Sequence, residues 1–216
     1  MFEDRRDAGR QLAEALEGYE DEEDLLVLAI PRGGVEVAYH VARPLDAELS
    51  MVIIRKLPFP YNPEAGFGAV AEDGSLYLHP RAADELPTKT IEKAVNDQRE
   101  EVERRIEVLR RGEPLPPIAG RTVILVDDGI AMGSTMRATI ELCKNKKAGT
   151  LVVAVPVAGE RVAREIASRV DRCIVLETPR PFRAVAQVYE TWYDVSDEEV
   201  LEIMDRWRRE HEGDET

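Results

Sequence analysis

Cysteine is almost missing from this chain, with only Cys143 and Cys173. One falls in an expected helix and the other in an expected strand, so both read as reduced core thiols and point to a cytoplasmic protein. Histidine is equally scarce. His40, His79 and His211 are scattered without ligand spacing, which leaves no zinc site and no expected protein-held metal. Long apolar runs are absent too: the longest, Leu25 to Ile30, is far too short to cross a bilayer. The opening Met1-Phe-Glu-Asp-Arg-Arg6 lacks the apolar core of a signal peptide. Positive charge is in deficit, with 29 basic against 43 acidic residues and a net charge of −14. That balance excludes a general nucleic-acid or anionic-membrane surface. Lysine in particular is confined to positions 56, 89, 93, 144, 146 and 147, a composition compatible with a high-salt cytoplasm.

What remains is ample for one substantial α/β domain over residues 1–216, with 44% apolar and 33% charged residues. Its centre is the stretch from Arg121 to Arg137. Val123 to Val126 suit a strand buried on both faces of a parallel sheet. Asp127 and Asp128 follow at its end, Gly129 and Gly133 permit a tight loop, and Ser134 and Thr135 stand where a helix should begin. Small residues with free N–H groups at a helix N-terminus make a phosphate cradle. Two carboxylates beside such a cradle fit a ligand with two ends, a sugar phosphate whose vicinal hydroxyls donate to the acids. The stretch is not a Walker A loop, because Gly129 to Gly133 is one residue too short and no Lys follows. It also lacks the G-x-G-x-x-G spacing of a dinucleotide fold. A plain surface turn, where Asp and Gly are common, is the competing reading.

Val123-Ile-Leu-Val-Asp-Asp-Gly-Ile-Ala-Met-Gly-Ser-Thr135 resembles the phosphoribosyl-pyrophosphate (PRPP) signature of type I phosphoribosyltransferases. The resemblance implies that Asp127 and Asp128 hold the ribose hydroxyls and that Gly129 and Ala131 to Thr135 wrap the 5-phosphate. Two departures stand out. Met132 occupies a place where members often have Thr, and Ala131 a place where 6-oxopurine enzymes have an Asp that acts as base. A close hypoxanthine–guanine salvage enzyme is therefore not the expectation. Asn62-Pro-Glu64 and Gly66-Phe-Gly68 resemble an uncharacterised archaeal and bacterial branch of the family.

Along the chain, a helix is expected over Asp7–Tyr19, then a first buried strand, Leu25–Ile30. Pro31-Arg-Gly-Gly34 ends that strand before a short helix from Val35 to Ala42, again an anion-cradle arrangement. The resemblance makes Pro31, Arg32, Gly33 and Gly34 the pyrophosphate loop, with Arg32 reaching the phosphate. Leu49–Ile54 reads as a second strand whose end carries Arg55-Lys56, and the resemblance favours Lys56 as the residue meeting the diphosphate. Residues 57–80 are rich in Pro and Gly, with a hairpin signal at Asp73-Gly74. Their breakers argue against a packed helix or central strand. The resemblance makes them a mobile active-site flap. A charged helix over Lys89–Arg111, two further strand–helix pairs and a strand at Cys173–Leu176 complete a mostly parallel, twisted five-stranded sheet flanked by helices. Residues 177–212 would form a small nucleobase hood, with Phe182 and Tyr189 as base-facing candidates, closed by a helix capped at Ser196 and Glu199.

The implied reaction is displacement of pyrophosphate from PRPP by a nitrogen nucleophile, most simply a nucleobase. Asp127 and Asp128 would stabilise charge on the ribose, and Arg32 and Lys56 the leaving group. Mg²⁺ would be held by substrate oxygens and water. The expected partners are PRPP and the nucleobase, without nucleic acid or membrane, in a homodimer. Two alternatives remain: a PRPP- or nucleotide-binding regulator without catalysis, and another sugar-phosphate enzyme sharing only the cradle.

Overall fold

A computed structural model describes residues 1–211; the last residues assigned to the domain and hood, 212–216, lie outside the described residues. Five parallel strands form the main sheet: β1 (Leu26–Ala29), β2 (Glu48–Met51), β6 (Thr122–Val126), β7 (Thr150–Val157) and β8 (Arg172–Glu177). Their order is β2-β1-β6-β7-β8. The intervening β3 (Ile54–Phe59), β4 (Asn62–Ala71) and β5 (Leu76–Leu78) form a separate antiparallel sheet.

Alternation along the buried strands sorts side chains onto two faces. Val27, Ala29, Ile124, Val126, Val152 and Ala154 pack with α1 (Arg5–Glu14), α2 (Gly33–Ala42), α4 (Thr88–Arg110) and α7 (Asp197–His211). Leu26, Leu28, Val123, Leu125, Val153 and Val155 pack on the other face with α5 (Ser134–Asn145) and α6 (Glu160–Ala167). The chain leaves β1 in one direction to β2 and returns on β1's other side as β6. The strand order therefore reverses between β1 and β6, where open α/β sheets hold ligands. Ala29 and Val126 are register partners there, so the loops that follow the two strands start side by side.

Three expectations need correction. The second strand does not run to Ile54: β2 ends at Met51, and the chain turns at Val52–Ile53 into the other sheet. A buried ion pair between Arg110 and Glu72 fixes that turn, with the Ile53 N–H donating to Glu72 Oε1 at 2.9 Å and Arg110 Nη1 to the Met51 carbonyl at 3.1 Å. Arg55 and Lys56 thus sit inside β3. The Pro- and Gly-rich segment also contains a central strand, β4, paired to β3 and β5 on either side. Its glycines are compatible with pairing because the space demands them: a Cβ on Gly68 would lie 2.3 Å from the Tyr77 carbonyl oxygen. The pairing is irregular around Pro58. Finally, the first helix stops at Glu14, and Glu17–Tyr19 is a separate short 3₁₀ turn.

The segment expected to form the hood packs against the first residues of the chain. Phe2 bridges to Tyr189, with the Phe2 N–H donating to the Val188 carbonyl and the Glu190 N–H to the Phe2 carbonyl. The capping box forms as expected: the Ser196 N–H donates to Glu199 Oε2 at 2.7 Å, and the Glu199 N–H to Ser196 Oγ at 3.1 Å.

Candidate active site

The β1 and β6 loops touch, and glycine is what lets them. A Cβ on Gly33 would lie 1.9 Å from Asp128 Oδ2, and one on Gly34 2.9 Å from the Asp127 Cα. The Pro31–Arg32 peptide bond is cis. Past the end of β6 the strand's alternation continues, and the two acids diverge. Asp127 lines a cavity of about 500 Å³ on the α5 side. Asp128 faces α1, where Arg5 Nε donates to its Oδ2 at 2.9 Å.

Arg5 is 3% exposed. It also donates to the Tyr193 carbonyl at 2.9 Å, and its guanidinium lies 4.0 Å from the Trp192 ring centroid. The Tyr189 hydroxyl donates to the Asp128 carbonyl at 2.7 Å. Asp128 is thus gripped at both its carboxylate and its backbone. Asp127 Oδ1 accepts the Asp128 N–H at 2.8 Å. Burial, then the neighbouring Asp128 charge, push Asp127 well above the usual carboxylate range. Burial raises Asp128 too, with Arg5 pulling the other way.

The loop after the acids is anchored by the Ile130 N–H, which donates to the Val157 carbonyl at 2.8 Å. Gly133, at φ 77°, then turns the chain into α5. Among the described residues, the N–H groups of Ala131, Met132, Gly133, Ser134 and Thr135 donate to no protein acceptor. They stand at the positive end of α5 and line the cavity with Asp127, which makes an anion cradle.

Lys56 reaches the same cavity from β3. Alternation sends Arg55 to the opposite side, where its Nε donates to Gln98 of α4 at 3.1 Å. Gly66 clears the way for Lys56, since a Cβ there would lie 2.3 Å from Lys56 Cγ. The structure therefore brings Lys56, Asp127, Gly129, Ala131, Met132, Gly133, Ser134 and Thr135 together. Pro31, Gly33, Gly34 and Asp128 do not line the cavity; Gly33 lies against Asp128 and Gly34 against Asp127. Arg32 turns instead toward Asp197, 3.4 Å away.

Both hood candidates pack against neighbouring side chains. Phe182 packs over Gly159 within a small cluster shared with Val157 and Val185. Tyr189, 6% exposed, is enclosed between Phe2 and Trp192 and supports Asp128. Arg5 and Arg137 escaped sequence reasoning. Arg5 hides in a charged N-terminus, whereas Arg137 had a signal, a cation on the buried side of a helix between Met136 and Ala138. A slightly larger groove, about 580 Å³, lies between α1, α2 and α7 and is lined mainly by charged side chains. None of the loop residues lines it, so size alone does not mark the site.

Comparison with known proteins identifies the family. Residues 3–190 match the phosphoribosyl transferase domain family, and the chain belongs to that family. Its type I fold is the one described above. The chain is 38% identical over 212 residues to a Mycobacterium tuberculosis protein described as a "putative phosphoribosyl transferase", covering 97% of this chain. It spans 48% of that curated relative's length. The crystal structure of TT1426 from Thermus thermophilus superposes with a TM-score of 0.80 at 40% identity, covering 95% of this chain and 98% of that one. AQ2163 from Aquifex aeolicus, at 11% identity and a TM-score of 0.51, covering 80% of this chain and 73% of that one, shares the fold alone.

Proposed function

We propose that this domain transfers the phosphoribosyl group of PRPP to a nitrogen nucleophile, most simply a nucleobase, with Mg²⁺. The observation that carries this reading is the row of unpaired N–H groups at 131–135 opening beside Asp127. The 5-phosphate would rest on those groups, helped by the Ser134 and Thr135 hydroxyls. The vicinal hydroxyls of the ribose would donate to Asp127 and Asp128. As the C1–oxygen bond breaks, its electron pair leaves with pyrophosphate, the nucleophile's lone pair forms the new C1–nitrogen bond, and the proton on that nitrogen passes to pyrophosphate or water. The acids oppose the positive charge that develops on the ring. Lys56 and the backbone of Pro31–Gly34 would meet the leaving group, with Arg32 at the rim.

The residues fit a metal carried by the substrate. Among the described residues no three carboxylate, imidazole or thiol groups gather to hold one, and Asp128 is already engaged by Arg5. Carried in by the substrate, Mg²⁺ would supply charge neutralisation at the leaving group, beside Lys56 and the Pro31–Gly34 backbone. Both thiols are free, and no helix among the described residues is long and apolar enough to cross a membrane. We place the protein in the cytoplasm, with a homodimer as its assembly.

Isothermal titration with PRPP and Mg²⁺ should show binding, weakened in Asp128→Asn. A panel of nucleobases should then release pyrophosphate. Binding without release for any acceptor would move the assignment to a PRPP-binding regulator. Absence of binding by folded protein would end it.

A further inference from the structure

We infer that Arg137 is a positioning residue that turns the 131–135 loop toward its anion. The inference rests on the reading of that loop as the 5-phosphate cradle. Arg137 is 4% exposed and spends its guanidinium in three directions. Nη1 donates to the Met132 carbonyl at 2.7 Å. Nε and Nη2 form a fork onto Glu165 of α6, each at 2.8 Å. The guanidinium carbon also lies 5.0 Å from the ring centroid of Tyr77, in β5.

The bond to Met132 has a consequence on the opposite side of the same peptide. In a trans peptide the carbonyl and the following N–H point in opposite directions. Pinning the Met132 carbonyl onto Arg137 therefore aims the Gly133 N–H away from Arg137, out of the protein and into the cavity. Gly133 itself must stay glycine beside this bracket, because a Cβ would lie 2.9 Å from Arg137 Nη1 at a φ of 77°. Glu165 makes the arrangement rigid. A bidentate carboxylate fixes the guanidinium plane, so Nη1 has one direction in which to donate. Met132, 67% exposed, contributes its carbonyl to the bracket while its side chain stays outside. This explains how the loop tolerates Met at that position: the orientation is set through the main chain.

The Arg137→Lys variant keeps the charge but loses the fork, and it separates positioning from simple electrostatics. Arg121→Lys is the control for loss of a largely buried guanidinium, since Arg121 pairs with Glu48 at the start of β6, the end of the sheet away from the cavity. We expect Arg137→Lys and Arg137→Gln to weaken PRPP–Mg²⁺ binding by about tenfold, the scale of a lost charge-assisted bond. KM for PRPP should rise accordingly, with kcat changed much less. Glu165→Gln should shift affinity in the same direction. Arg121→Lys should lower Tm without moving PRPP affinity. If Arg137 variants do not fold, Glu165→Gln and Tyr77→Leu carry the test. Wild-type affinity in folded Arg137→Lys, or equal affinity losses in Arg137→Lys and Arg121→Lys, would overturn the inference. A wild type that binds no PRPP would remove the cradle reading and this inference together.

Discussion

Asp127 occupies a costly position. It is half-buried beside a second acid, and its carboxyl is held well above the usual carboxylate range, first by desolvation and then by Asp128. A group whose folded pKa is raised binds its proton more tightly in the native state. Stability from this source is therefore greatest at low pH and falls as pH rises from the unfolded value of 3.8 toward the folded one. Asparagine at this position can still accept the Asp128 N–H but carries no charge. Asp127→Asn should thus raise Tm at pH 8 by ~3 °C for each ~1 kcal/mol relieved, given the size of the chain. The gain should shrink toward zero below about pH 4, where both forms are neutral, and PRPP binding should fall. Thermal melts at pH 4, 6 and 8 measure this; a gain that ignores pH would refute the charge explanation. The acids themselves were legible because their chemistry is local, two carboxylates at a strand end before a glycine loop. Their partner Arg5 was not. It lies 123 positions away, and nothing in Glu3-Asp-Arg-Arg6 distinguishes a buried guanidinium from a solvated one.

Among the elements, the five strands of the main sheet were readable from their apolar runs, and the helices between them from strand–helix alternation. The antiparallel sheet was only half readable. Asp73-Gly74 announced the β4–β5 hairpin, but the Pro and Gly content hid β4's role as a central strand. That content reports close approach rather than lack of structure. Gly68 lies under the Tyr77 carbonyl with Leu57 and Leu78 alongside, and propensity does not see neighbours that arrive from other strands. Gly68→Ala should accordingly destabilise the fold by about 1–3 kcal/mol through overpacking. Gly18→Ala, where a Cβ meets nothing within 4 Å, should be close to neutral. Denaturant midpoints of the two variants make the comparison, and equal midpoints would show that β4 yields to the added methyl. The early end of β2 was unreadable for a related reason. Val52 and Ile53 are as apolar as the strand before them, and the turn is imposed by Arg110 and Glu72 from distant parts of the chain.

At the scale of the molecule, a protein with a net charge of −14 is proposed to hold a polyanion. It would do so where local groups outweigh the global field: the N-terminus of α5, the loop amides and Lys56. Lys56 belongs to the antiparallel sheet, so that sheet and the main sheet must come together for the site to be complete. The antiparallel sheet is not uniformly loose. Leu57, Phe67 and Val70 are buried with Ala82 and with Val95 of α4, which ties the base of the sheet to the body. Its far end differs: Phe59 lines the cavity, Tyr61 is 75% exposed, and pairing is irregular around Pro58. Closure over a ligand should therefore involve residues 58–66, with 67–78 remaining fixed. Hydrogen exchange with and without PRPP and Mg²⁺ tests this division. The amides of residues 59–66 should gain protection on binding, together with 131–135, while those of Phe67, Ala69 and Val70 should be slow in both states. Uniform protection across 57–80 would mean that the whole sheet moves as one lid. No change at the tip, despite measurable PRPP binding, would mean that Lys56 is placed before the ligand arrives and that exclusion of water falls to another part of the chain.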